Sequence, residues 1–293
     1  MKLNFNLIII LIIFFSCNHS SVNCGKECDD NEELLFQSGF NNATITNIEG
    51  SWYDIHGIDT QYTEHNDWDT FEENPAIGDF KINCGDGNDS QRWAKILKDP
   101  TDATNNILGF RIIEPHQKEP GKMKGRVQVD LNSNSCIKEF YQTVRLNLHS
   151  DMDYLKKWDE KFSWLSLFEF WNNANWTDEK YPFRVTVNVR KETTGKVDVL
   201  YLNAKADRYK GFGNWEVVWE NTALDFALPI GEWMDIELYI KEGDQNNGRF
   251  YIAITPQGGE KQIVFNITNY TQHPKEKCPD GFSEIHALKF YTS

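Results

Sequence analysis

The clearest signal in the chain is a period of two. Phe183-Arg-Val-Thr-Val-Asn-Val-Arg190 puts Phe183, Val185, Val187 and Val189 on one side and Arg184, Thr186, Asn188 and Arg190 on the other, because successive side chains of an extended chain point to opposite faces. Trp233 to Ile240 repeats the pattern with Met234, Ile236, Leu238 and Ile240 inward. Arg249 to Ile254 and Gln262 to Ile267 do so again, and Leu288-Lys-Phe-Tyr291 reads as a closing strand. Clusters of Gly, Pro, Asn and Asp punctuate these runs as turns. Helical spacing is nearly absent, and the single helix expected is a short one within Met152 to Lys161. Many short strands with regular turn punctuation predict an all-β sandwich or barrel. No internal linker, repeat or low-complexity tract interrupts residues 33–293, which are therefore expected to form one domain.

The N-terminus changes the picture. Lys2 precedes an apolar run from Leu7 to Phe15, which has the length of a signal peptide and is short for a bilayer span. It ends in Phe14-Phe15-Ser16-Cys17, which resembles the lipobox of bacterial lipoproteins. The resemblance implies a signal peptide over 1–16, lipidation at Cys17 and a polar tether over 17–32. The expected location is then exported, at the outer membrane or cell surface, held to the membrane through a lipid anchor.

Composition narrows the partners. The chain carries a net charge of -14, and binding nucleic acid needs a basic footprint, so no nucleic-acid partner is expected. Aromatic residues make up 14% of the chain, enough to supply stacking surfaces as well as a core. Besides Cys17 there are Cys24, Cys28, Cys84, Cys136 and Cys278, an odd set whose pairing spacing does not fix. Cys24 and Cys28 lack the partners of a zinc site. No cofactor is expected. Asp86-Gly-Asn-Asp-Ser90 is acidic and Gly-rich, as a structural calcium site would be, but it lacks the ligand spacing of a calcium loop and reads as a turn. Trp52 to Glu73, with Asp54, His56, Asp59, His65, Asp67 and Asp69, reads as a solvated loop, with a metal site or a groove cap as the other readings. Six sequons, at Asn18, Asn42, Asn88, Asn175, Asn266 and Asn269, matter only in a glycosylating host.

One stretch poses a chemical question. Trp164-Leu-Ser-Leu-Phe-Glu-Phe-Trp-Asn-Asn-Ala-Asn-Trp176 sets Glu169 among bulky apolar neighbours, so Glu169 either faces a ligand groove or is an ordinary polar position on a half-buried sheet.

Several segments together resemble concanavalin-A-like jelly rolls of the polysaccharide lyase type. Asn106-Ile-Leu-Gly-Phe-Arg111 after Asp99-Pro100 is similar to their first sheet strand. Lys124-Gly-Arg-Val-Gln-Val-Asp130 sits where they carry an Arg-Ser-Glu-Leu-type strand, and Tyr141 to His149 resembles the strand after it. Gly231 to Gly243, followed by Gly248-Arg-Phe-Tyr-Ile-Ala, looks like their hairpin, and Leu288 to Tyr291 like their last strand. The resemblance implies a sandwich of two antiparallel sheets, one bent into a concave groove for an oligosaccharide. On that picture Arg126, Arg145, Asn147, Arg184, Asn188, Arg190, Tyr201 and Lys205 face the groove, while Trp171 and Trp176 stack on sugar rings.

The resemblance implies two functions, and a structural or protein-binding jelly roll without a glycan is a third reading. The first is a surface lipoprotein that binds a polysaccharide within a glycan-utilisation system, with Glu169 accepting hydrogen bonds from sugar hydroxyls beside Trp171. The alternative is a lyase that cleaves a uronate-containing glycan by β-elimination, with Arg145 neutralising the carboxylate and Tyr141, His149 or Tyr291 moving protons. The resembling lyases carry a Gln-x-His motif where this chain has Glu169-Phe170-Trp171, so their usual base is missing. A retaining hydrolase needs a second carboxylate near Glu169. None lies two or four residues away, which leaves Asp198 or Glu237 from other strands.

Overall fold

A computed structural model describes residues 5–17, 33–49, 52–72, 79–118, 123–132, 137–177, 179–192, 198–211 and 213–292. In chain order its strands are β1 Phe5–Cys17, β2 Glu33–Ser38, β3 Thr44–Glu49, β4 Trp52–His56, β5 Asp79–Asn83, β6 Arg92–Lys98, β7 Asn106–Ile112, β8 Gly125–Asn132 and β9 Glu139–Leu148. They continue with β10 Phe162–Asn172, β11 Phe183–Lys191, β12 Tyr201–Gly211, β13 Asn214–Thr222, β14 Trp233–Lys241, β15 Arg249–Pro256, β16 Gln262–Thr268 and β17 Glu284–Thr292. Two short α-helices, α1 Trp68–Glu72 and α2 Asp153–Lys156, accompany the strands. Helix α2 lies inside the expected Met152 to Lys161 segment and is shorter than it.

The strands form two antiparallel sheets of an open sandwich with the form of a jelly roll. One has eight strands in the order β16-β15-β14-β9-β1-β7-β6, with β2 also paired to β1. The other has nine, in the order β13-β12-β11-β10-β17-β8-β5-β4-β3. The apolar N-terminal run is β1, paired with β9 from Leu7 to Cys17 and with β7 from Phe5 to Ile9. Cys24, Cys28, Cys136 and Asn18, and residues 18–32 of the expected tether, lie outside the described residues. Cys278 is disulfide-bonded, while Cys84 is a buried free thiol whose pKa burial pushes up to about 12. Among the described residues no helix is long and apolar enough to cross a membrane.

The alternating strands build the core as their pattern requires. Val185, Val187 and Val189 of β11 and Ile236, Leu238 and Ile240 of β14 are all buried in one cluster. Burial of such side chains stabilises by roughly 1.5–3 kcal/mol each. Phe140 of β9 meets Phe170 of β10 across the sandwich with ring centroids 6.1 Å apart, and Gln142 Nε2 donates to the Ala287 carbonyl at 2.9 Å. A second set of rings, Phe36, Phe40, Trp68, Phe71 and Phe80, fastens α1 beneath the N-terminal strands.

Two irregularities shape the polar face of the nine-stranded sheet. Strand β10 shifts register between Ser166 and Phe168, and β17 between Ile285 and Leu288. A bulge adds a residue to one strand and reverses the facing of everything beyond it.

Candidate functional site

The polar face of the nine-stranded sheet holds a cleft of about 500 Å³. Its floor is built from neighbouring strands in register. Glu169 of β10 lies opposite His286 of β17, and Trp171 lies opposite both Glu284 and Arg184 of β11. Further along β17, Lys289 faces Gln128 and Tyr291 faces Arg126, both on β8. Asn83 and Trp52 extend the lining onto β5 and β4, and Lys124, Asp130, Asn132, Asn175, Trp176 and Trp215 complete it.

Glu169 does not project freely into this space. It is only 4% exposed and accepts from His286 Nδ1 at 3.1 Å, from Arg184 at 3.2 Å and, in a closer contact, from the Lys289 ammonium. His286 Nε2 in turn lies 3.4 Å from Asp130 and 3.6 Å from Glu284. Asp130 also accepts from Asn83 Nδ2 at 3.0 Å and from Gln128. Burial alone pushes the Glu169 carboxyl up, but Lys289, His286 and Arg184 outweigh it and hold the group well below the usual carboxylate range. For His286, burial and the Lys289 charge pull down. Asp130, Glu169 and Glu284 overcome both and raise its pKa above the ordinary value. Burial wins at Lys289, whose pKa falls below that of a solvated lysine despite Glu169.

The two ends of the cleft differ. At one end Arg184 lies over the rings of Trp171 and Trp215, at 5.4 and 4.5 Å. Trp176 packs edge-on to Trp171 at 4.6 Å and donates from Nε1 to Glu284 at 2.9 Å. At the other end Lys124, Arg126 and Lys289 lie 5.6, 5.2 and 5.0 Å from the centroid of the Tyr291 ring. Among the lining residues four cations, Lys124, Arg126, Arg184 and Lys289, face three carboxylates, Asp130, Glu169 and Glu284. His286 is a further cation when protonated. The cleft is therefore locally positive within a chain of net charge -14. Three buried polar atoms of the lining, Arg126 Nε, Gln128 Oε1 and Trp171 Nε1, have no hydrogen-bond partner among the described residues. Such atoms are uncommon in a finished interior and suit a site completed by solvent or ligand.

The structure brings together Glu169, Trp171, Trp176, Arg126, Arg184 and Tyr291 of the residues predicted from sequence. Asn188, Arg190, Tyr201 and Lys205 share the polar face on β11 and β12 but lie outside the cleft. Asn188 accepts from Ser166 Oγ at 2.7 Å, and Lys205 pairs with Asp207 at 3.0 Å. Arg190 is held by Glu192 and Glu220, and Tyr201 is buried opposite it in register.

Arg145, Tyr141 and His149 must be reassigned, with Asn147. Alternation gives the right outward face for β9, but β9 belongs to the eight-stranded sheet, so that face looks away from the cleft across the thickness of the sandwich. Arg145 lies over Trp233 at 5.7 Å and Tyr141 is 3.5 Å from Glu237. His149 Nδ1 caps the short turn after β9 by accepting from the Asp151 backbone at 3.2 Å. Glu237 lies in that other sheet and pairs with Lys261, and Asp198 lines a separate small pocket beside Lys191 and Trp158. Neither can serve as a second carboxylate for Glu169. The Asp86 to Ser90 turn is filled from within, since the Arg92 guanidinium takes the Gly87 carbonyl at 3.1 Å and the Asp86 carbonyl at 3.3 Å. In the Trp52 to Glu73 region Asp59 is buried, accepting from Ser38 Oγ and the backbone of Gly39 and Gln61, and His56 pairs with Asp69 at 2.5 Å. No three metal-ligating side chains cluster among the described residues.

Sequence reasoning missed His286, Lys289, Lys124, Asp130, Gln128, Glu284 and Trp215. His286 and Tyr291 are five apart, an odd spacing that puts them on opposite faces of a regular strand. The bulge restores them to one face.

No family model, curated protein or solved structure matches this chain.

Proposed function

We propose that this protein binds a polysaccharide in the cleft of its nine-stranded sheet. The observation that carries the reading is the combination, in one cleft, of tryptophans around a charged floor and buried polar atoms with no hydrogen-bond partner among the described residues. Sugar rings present apolar C–H faces that suit indole surfaces, and hydroxyls that suit fixed donors and acceptors. Trp176, 60% exposed at the rim, is the most accessible platform. Glu169 acts in this reading as the counter-charge that fixes Lys289, His286 and Arg184, rather than as the group that grips the sugar. Export and lipidation at Cys17 would take Phe5–Ser16 of β1 out of the eight-stranded sheet, leave the cleft of the other sheet with all its lining residues, and put such a binder at the cell surface as part of a glycan-utilisation system.

Gel retardation of the purified protein in a panel of neutral and acidic polysaccharides tests the proposal. Retention by at least one of them, weakened by Trp176→Ala, is expected. Free migration throughout the panel removes it.

A second reading, β-elimination of a uronate, is favoured by the meeting of Arg126, His286 and Tyr291 on adjacent strands. Such a reaction needs a cation at the carboxylate, a base for the α-proton and an acid for the leaving oxygen. Arg126 supplies the first. His286, held protonated to higher pH than usual, fits the acid, which leaves Tyr291 for the base. New absorbance from unsaturated ends on incubation with uronate polymers, abolished by Tyr291→Phe, is the expected signature. Steady absorbance with retained binding leaves the first reading alone.

A further inference from the structure

We infer that the cleft selects an acidic oligosaccharide in one orientation, with a sugar ring at the tryptophan end and a carboxylate or sulfate at the Tyr291 end. This rests on the saccharide reading and adds the class and direction of the ligand.

Three observations carry it. First, the ends are separated by a fixed length of strand. Ser166 is opposite Tyr291 in register and Trp171 is five residues further along β10, a span of ~16 Å at about 3.3 Å per residue. A single sugar ring cannot touch both ends. Second, the charge is graded along that span. At the tryptophan end the cation is already consumed: Arg184 pairs with Glu169 at 3.2 Å and Asp207 at 3.4 Å, and Glu284 adds a carboxylate beside Trp176. An anion placed there meets negative neighbours. Third, Arg126 at the far end makes no salt bridge among the described residues, and its buried Nε has no hydrogen-bond partner there. Guanidinium groups suit planar or tetrahedral oxyanions, through two parallel hydrogen bonds, so the end that holds Arg126 beside Lys124 and Lys289 suits an acidic group, while the tryptophan end, where Trp171 Nε1 is also without a partner among the described residues but the guanidinium is already paired, suits a ring face and a neutral hydroxyl.

Calorimetric titration of the purified protein with oligosaccharides of defined length distinguishes the outcomes. The series holds neutral, uronate-containing and sulfated members, from monosaccharide to hexasaccharide. Long acidic members are expected to bind at least tenfold tighter than neutral ones of equal length, with the ratio falling as salt rises. Arg126→Gln should remove that advantage, and Arg126→Lys should restore part of it. Trp176→Ala should weaken neutral and acidic long members alike, and thermal melting should show all three variants folded. A stronger response to the uronate or to the sulfated arm identifies the anionic group. Equal affinity for neutral and acidic members overturns this inference while the saccharide reading stands. An Arg126→Gln loss as large for a uronate monosaccharide as for the hexasaccharide, without any Trp176→Ala effect on the latter, overturns the two-ended orientation. Heat from none of the members in any arm overturns the saccharide reading itself.

Discussion

Replacing Glu169 by Gln tests the electrostatics of the floor most directly. The side chain keeps its shape and loses its charge. Glu169, His286 and Lys289 are each 4% exposed, so the cations left behind cannot be rescued by water. Breaking a buried ion pair by removing one partner costs about 3–5 kcal/mol, because an uncompensated charge stays buried. The Gln carbonyl can still accept one hydrogen bond, which argues for the lower end, about 3 kcal/mol. In a chain of this size that lowers Tm by roughly 6–12 °C.

The pH dependence separates this mechanism from a packing defect. Glu169 is depressed in the folded state, so its contribution is present above the unfolded carboxylate range and lost as pH falls through the folded value. His286 is raised, so its contribution is complete below its unfolded value of about 6.5 and lost as pH rises through the folded one. The penalty of Glu169→Gln should therefore peak between about pH 5 and 6, where both groups are charged. It should fall away in acid and shrink at alkaline pH. Urea unfolding of both proteins from pH 3 to 9 measures this directly. A penalty below about 1 kcal/mol, or one that stays level across the range, refutes the argument. A companion variant, Glu169→Leu with Lys289→Met, removes both charges and should recover much of the loss, since apolar replacement of a buried pair is often neutral or better.

Other expectations come from the same structure. Glu242 accepts from Asn172 Nδ2 at 2.7 Å and from the Gly281 backbone at 2.9 Å, and burial raises its carboxyl pKa to about 8. A raised acid stays protonated in the folded state, so it lowers stability progressively as pH climbs from about 4.5 to 8, by at most about 1.4 kcal/mol per pH unit; Glu242→Gln should flatten that slope in calorimetric scans. Arg92→Met strips the Asp86 and Gly87 carbonyls of their donor and should cost about 2 kcal/mol, with faster limited proteolysis near residues 85–91; a wild-type digestion pattern would remove Arg92 as the anchor of that turn. Val187→Ala, in the fully buried row of β11, should cost about 1–3 kcal/mol in urea unfolding, and a cost near zero would contradict the packing assigned to that strand.

What the sequence disclosed depended on how far a signal reaches along the chain. Alternation is local, and it placed Val185 to Val189 and Met234 to Ile240 on the inward faces they occupy. Sheet membership is a long-range property. Nothing near Arg145 says that β9 pairs with β14 and β1 rather than beside β10, so a correct outward face was assigned to the wrong side of the sandwich. Bulges fall between these cases. Counting by twos from Tyr291 reaches Lys289 but passes over His286, because the register shift before Leu288 re-phases the strand.

The same shift explains the acidic residue set among apolar neighbours on β10. Two residues on from Glu169 the same strand carries Trp171 and no histidine. Here the imidazole arrives from β17 instead, directly opposite, together with Lys289 from the same strand. Two cationic groups delivered to a buried floor need an anion, and a neutral amide at 169 would leave them exposed to each other's repulsion. The charge on Glu169 is thus a consequence of where His286 and Lys289 come from.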